Sequence, residues 1–166
     1  VIAKREDVCA ISLDYLAYSI EAVELVTPLV RALGRQPDEV YRSSNNLLCV
    51  FDSKRQVLEI EPDAEGISAI DAFGIIATAP GTRHDFVSRY FAPRAGVDED
   101  PVTGSAHCSL APYWAGRLGK TRLTAHQVSA RGGEMVCEMN TQGDRVRLIG
   151  RAVTFFEGEI VAGALG

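Results

Sequence analysis

Apolar and polar positions alternate over short runs along most of the chain. Residues 8–16 mix small, apolar and polar side chains around Val8, Ile11 and Tyr15, which predicts a strand with one buried face. Thr27-Pro28, then Leu29, Val30, Ala32 and Leu33, then Gly34, predict a short helix with Thr as N-cap, Pro at the first helical position and Gly just past the end. Residues 40–44, 46–51 and 56–60 predict three more strands, the last two joined by the turn-forming Asp52-Ser53-Lys54. Pro62-Asp63 opens a predicted helix to Phe73, and 74–79 and 85–92 return to strand about a Pro80-Gly81 turn. The stretches 122–130, 134–140, 145–150 and 152–156 predict strands joined by glycine-containing turns.

Residues 103–118 break this short period. They are nearly all small or apolar, with Ala106, Leu110, Trp114 and Leu118 on one helical face and Ala111 and Ala115 on another. A helix apolar all round is a buried one, and Pro112 within it removes a backbone donor and should kink it. The predicted fold class is α+β, a mixed, barrel-like β-sheet wrapped around a central buried helix, in a single domain over 1–166.

Composition narrows the partners. With 166 residues, 46% hydrophobic and 23% charged, the chain can bury one proper core. A net charge of -5 argues against nucleic-acid or anionic-membrane surfaces, which need a basic face. No apolar run approaches membrane-spanning length and no basic-then-apolar leader opens the chain, so a cytoplasmic location is expected. The sequence begins at Val1 rather than methionine, as a fragment or processed product would. Cys9, Cys49, Cys108 and Cys137 are dispersed in apolar surroundings and read as buried reduced thiols. His84, His107 and His126 show no zinc-like spacing, so no metal is expected.

The chemistry concentrates between Asp98 and His107, where a strand gives way to the buried helix. The unpaired N–H groups of a helix start, a glycine permitting close approach and the hydroxyls of Thr103 and Ser105 make a seat for a carboxylate or phosphate. Asp100 stands just before that seat, where partial desolvation would raise its pKa toward that of a working acid or base. The plainer alternative is that Asp100 or Thr103 is only an N-cap. His107 is open to two readings, a residue facing the site or a hydrogen-bonded core histidine.

Three runs carry a resemblance: Phe86-Val87-Ser88-Arg89-Tyr90-Phe91-Ala92-Pro93, then Glu99 to Cys108, then Leu110-Ala111-Pro112-Tyr113-Trp114. With Leu118-Gly119-Lys120, Gln127, Ser129 and Arg131-Gly132-Gly133 following in order, they resemble the phenazine-biosynthesis PhzF-like isomerase family from about Asp85 to Gly158. The resemblance implies the diaminopimelate epimerase-like fold, two lobes with a barrel of strands around a helix in each and the active site between them. It implies that Asp100 is the acidic residue of the C-terminal lobe, that Ser105 contacts substrate, and that Thr103 and Gly104 share its anion-binding turn, with His107 beside them. The family's principal base, a glutamate near a glycine-asparagine motif in the N-terminal lobe, and a histidine of that lobe have no counterpart here. Glu21, Glu24 and Glu61 lack the matching context.

The implied protein is therefore a proton-shifting, cofactor-independent acid/base isomerase of a small carboxylate-bearing metabolite. This chain would be its C-terminal lobe only, inactive alone, with the N-terminal lobe of the same protein or a second chain, a homodimer included, as partner. Two alternatives stand beside this reading: a non-catalytic binding or assembly lobe or stable fragment, and a cysteine-type epimerase or racemase. The latter would need a cysteine where Asp100 stands. Arg131-Gly132-Gly133 reads as a hairpin turn before a ligand contact, and Arg89 and Arg94 as solvated charges.

Overall fold

The computed structural model describes residues 2–6, 9–153, 155–156 and 158. Its strands are β1 (Ile2–Arg5), β2 (Ala10–Leu16), β3 (Glu21–Ala22), β4 (Glu39–Ser43), β5 (Asn46–Val50), β6 (Gly74–Pro80), β7 (Phe86–Phe91), β8 (Arg122–Gln127), β9 (Gly133–Met139) and β10 (Arg145–Arg151). Its α-helices are α1 (Thr27–Leu33), α2 (Lys54–Leu58), α3 (Ala64–Ser68) and α4 (Gly104–Leu118). Among the described residues the strands form one ten-stranded sheet in the order β1-β2-β10-β9-β8-β7-β6-β5-β4-β3, with parallel pairing of β5 to β6 and of β7 to β8.

The central strands are buried on both faces, and their alternation divides the core in two. Leu47 and Cys49 of β5, Ile75, Ala77 and Ala79 of β6, and Val87 and Phe91 of β7 face Leu29, Leu33, Val57 and Ile67 of the three short helices. Leu48, Val50, Ile76, Phe86 and Tyr90 point the other way, onto Leu110 and Trp114 of α4. Farther along the sheet, among the described residues, only one face is covered. Leu123 and Ala125 of β8, Cys137 of β9, and Val146 and Leu148 of β10 all pack into the α4 core. Strands lie about 4.8 Å apart, so the six from β5 to β10 span roughly 24 Å if flat. A helix is only about 10–12 Å wide with its side chains, so the sheet bends around α4 to reach it.

The sheet is nevertheless open, not the closed barrel-like sheet predicted. Strand β2 has both edges occupied, by β1 and β10, and among the described residues β3 is a two-residue edge paired only to β4. The chain between β2 and β3 crosses α4 instead of pairing with a strand. Its Tyr18 N–H donates to the Cys108 carbonyl at 2.8 Å, and its Ala17 N–H to Asp144 O at 2.8 Å. Pro112 explains the first contact. It has no N–H to give to the carbonyl four residues earlier, which is that of Cys108, and the crossing segment supplies the donor instead. The helix runs through Pro112 without interruption.

Residues 56–60 are not a strand. Ser53 caps α2 through a capping box, its hydroxyl accepting from the Gln56 N–H while the Gln56 side chain accepts from the Ser53 N–H. The predicted helix opening at Pro62-Asp63 is the five-residue α3, ended well before Phe73. Helix α1 begins at Thr27, with Val26 rather than Thr27 at the N-cap, and ends at a left-handed Gly34. Of 152–156, Ala152, Val153, Phe155 and Phe156 belong to no strand and residue 154 lies outside the described residues, as does Val8.

Candidate functional site

The chain leaves β7 at Phe91, makes a 3-10 turn at Pro93–Ala95 and enters α4 through Glu99 to Thr103, a segment restrained from three sides. Arg89 of β7 forks onto Glu99, Nε to Oε1 at 2.7 Å and Nη2 to Oε2 at 2.8 Å, and its Nη1 donates to Ile60 O at 2.8 Å. Its side chain is 12% exposed, so Arg89 is an internal anchor and not the solvated charge expected. Arg94 likewise donates to the carbonyls of Ile70 and Ala72. The Asp100 N–H donates to Tyr90 O at 3.0 Å, and the Tyr90 hydroxyl to Asn46 Oδ1 at 3.0 Å. Burial, with the Asp100 charge adding to it, raises the Tyr90 pKa and keeps that hydroxyl protonated.

The third restraint is Gln127, at the end of β8 and fully buried. Its Oε1 accepts from the Thr103 N–H at 2.8 Å, and its Nε2 donates to Asp100 O at 2.6 Å and to Thr103 Oγ1 at 3.1 Å. Ser129 continues the clamp, donating to Pro101 O at 2.7 Å and accepting from the Gly132 N–H at 3.1 Å. Gly133 allows the approach: a Cβ there would lie 2.2 Å from Val102 Cγ2. Arg131-Gly132-Gly133 is thus the turn into β9, with Gly132 at φ +68°, and also the floor under Val102. Sequence reasoning left Gln127 and Ser129 off the site; their place in the ordered run of matches was the only signal for them.

These restraints bring Asp100 and Thr103 together at the start of α4. The Thr103 hydroxyl donates to Asp100 Oδ2. Thr103 occupies the N-cap position, yet among the described residues no side chain caps α4, and its first turn holds no acidic residue. The N–H groups that open α4 therefore retain their partial positive charge and lack a side-chain acceptor. Ser105 is exposed there. Among the described residues an added Cβ at Gly104 would meet nothing closer than Leu148 Cδ1 at 3.7 Å, so their packing does not require a glycine at this position.

Val102 and Gly104 also form part of the wall of an open groove of about 830 Å³, lined further by Ile11, Leu13, Met135 and Leu148. His107 stands elsewhere. It is fully buried, 5.9 Å from the Phe86 ring, with Nδ1 2.7 Å from Thr103 O and with no partner for Nε2 among the described residues. Burial lowers its pKa to about 4, so the ring is neutral at physiological pH and Nδ1 carries the proton given to Thr103. Cys108, one residue on, is pushed up to about 11 by burial, which is unfavourable for a thiolate base.

The chain belongs to the phenazine biosynthesis-like (PhzC-PhzF) protein family, whose model matches residues 9–158. It is 48% identical over 148 residues to a Pseudomonas aeruginosa protein named an uncharacterized isomerase, covering 89% of this chain and 56% of that protein. A second uncharacterized isomerase of the same organism is 40% identical over 159 residues, with 96% and 60% covered. Among solved structures, a PhzF-family phenazine biosynthesis protein from Enterococcus faecalis superposes with a TM-score of 0.86 at 38% identity, covering 96% of this chain and 60% of that one. A PhzC/PhzF protein from Clostridium difficile gives 0.85 at 36% identity, with the same coverage. The chain thus spans little more than half the length of these relatives. Among the described residues no helix is long and apolar enough to cross a membrane.

Proposed function

We propose that this chain supplies one wall of an isomerase site in which Asp100 moves a proton on a small carboxylate-bearing metabolite. The observation that carries the reading is the uncapped start of α4 beside a carboxyl group held in place by Thr103. A substrate carboxylate would accept from the N–H groups opening α4, with the Ser105 hydroxyl beside it and the bare Gly104 letting it close in. Asp100, its backbone fixed by Tyr90 and Gln127, would then give or take a proton at a neighbouring carbon. Gln127 and His107 act as positioning residues, since both hold the backbone of Thr103. The relatives named as isomerases support the reaction class. The opposing base would come from outside this chain, from an N-terminal lobe or a second chain.

The test compares the 166-residue chain with a protein of its relatives' full length, offering small carboxylic acids with an activated C–H in heavy water. Product and carbon-bound deuterium are followed by NMR. The expected result is turnover by the long protein, silence from the short chain, and a loss of about a hundred- to ten-thousand-fold on Asp100→Asn. Gly104→Ala should fold normally, given the room at that position, yet lose substrate binding. Turnover unaffected by either substitution would refute the proposed site.

A further inference from the structure

The geometry points to a divalent transition-metal site formed by His84, His126 and Glu134, on the side of the sheet near the β8–β9 hairpin. Sequence spacing hides it, because tertiary pairing assembles it. His126 on β8 is the cross-strand partner of Glu134 on β9. It also stands beside Val87 in the parallel pairing of β7 with β8, and His84 lies in the turn just before β7. One ligand atom from each of the three side chains lies within 4.8 Å of the other two. His84 Nε2 is 3.1 Å from Glu134 Oε1, and the two imidazole rings are 5.2 Å apart and inclined at 54°.

An ion held by all three would draw these atoms closer together. Zinc bonds to imidazole and carboxylate of about 2.0–2.2 Å in tetrahedral geometry put neighbouring ligand atoms about 3.3 Å apart. The His84–Glu134 edge already has that length. The Glu134 side chain is 69% exposed, so its carboxylate has room to adjust toward the two imidazoles. Gly132 keeps the approach clear, since a Cβ there would sit 3.3 Å from His126 Nε2. The β8–β9 register sets His126 beside Glu134 and the ion pair brings His84 to the same carboxylate, so two imidazoles converge on one carboxylate. Two imidazoles and one carboxylate form the donor set that suits zinc or its neighbours in the first transition row, with a fourth position left for water. Lys54 and Arg83 line the same depression. Their charge opposes a cation and holds the affinity below that of a closed structural zinc site, while Glu134 offsets one of the two. An ion here would tie β9 to the turn before β7, next to the hairpin that clamps the Asp100 segment.

The test is calorimetric titration of Zn²⁺ into the chain, paired with Co²⁺ absorption and with circular dichroism to establish that each variant is folded. One equivalent of Zn²⁺ should bind. His84→Ala, His126→Ala and Glu134→Gln should each weaken binding by at least about tenfold. The visible Co²⁺ bands of a four-coordinate site should vanish in the double variant H84A/H126A. Should His126→Ala fail to fold, His84→Gln in the turn provides the same comparison. No saturable binding, or binding with the same affinity in the folded variants, overturns the site.

Discussion

His107 makes one good hydrogen bond and leaves its second ring nitrogen buried without a partner among the described residues, so a proton added there gains nothing and loses hydration. Its pKa in the folded chain, about 4, lies below the ordinary 6.5. The unfolded chain therefore takes up a proton as pH falls below about 6.5, while the folded chain resists until about 4. Stability from this group is complete above the higher value, is lost across that window as pH falls, and changes no further below it. At pH 5 the loss should be about 2 kcal/mol. Urea unfolding at pH 7.5 and pH 5 should show the wild-type chain losing about that much more than His107→Gln, whose side chain does not titrate; equal losses in both would contradict the assignment. The contrast with Asp100 shows what a sequence reveals at this scale. Asp100, Thr103, Gly104 and Ser105 are contiguous, so their grouping at a helix start is visible in the order of residues. Gln127 joins them only because β8 lies beside β7, and no local pattern around it says which backbone its amide will hold. Arg89 is misjudged for the same reason: its partners Glu99, Val57 and Ile60 come from other parts of the chain.

Helix α2 shows how one set of residues can satisfy two elements. Asp52, Ser53 and Lys54 have turn chemistry, and Val57, Leu58 and Ile60 are apolar enough for a short strand, so 56–60 suggests strand on local grounds. Only Val57 of the helix is buried, which leaves no helical apolar stripe to read. What decides the matter is Gln56 at the third helical position, whose N–H donates to Ser53 Oγ while its side-chain Oε1 accepts from the Ser53 N–H. Ser53→Ala removes one half of that exchange. It should lower stability by about 1 kcal/mol, within the range for N-cap loss, with the spectrum of the folded chain otherwise unchanged. An unchanged urea midpoint would mean that Val57 packing alone holds the element. The long, strongly biased elements fared differently. Helix α4, the strand β2 and the strands β4 to β10 are visible because a run of apolar or alternating residues has few other uses. The edge strands β1 and β3 are short and exposed, and carry too little pattern to register.

At the scale of the molecule, the strands β5 to β7 are a wall shared by two cores. Thr78 of β6 accepts from Trp114 Nε1 at 3.0 Å, and Phe86 of β7 stacks on the Trp114 ring at 5.8 Å with 5° between planes. The neighbouring residues Ala77, Ala79 and Val87 face the opposite way, onto the core that contains Leu33 of α1. Rigid interiors transmit such changes, because a side chain cannot shift on one face of a strand without moving the backbone that carries the other. The two cores should therefore unfold together although no side chain of α1 need touch α4. Leu33 is fully buried, and Leu33→Ala should lower stability by about 2–5 kcal/mol through lost burial and the cavity left behind. Trp114 is the only tryptophan, so its fluorescence reports on the α4 core alone, while far-UV circular dichroism follows the whole chain. Both probes should move to lower urea by the same amount in Leu33→Ala, as a two-state transition requires. A fluorescence transition left in place while the dichroism transition moves would show that the α4 core stands without its neighbour, and that the shared strands do not couple the two faces.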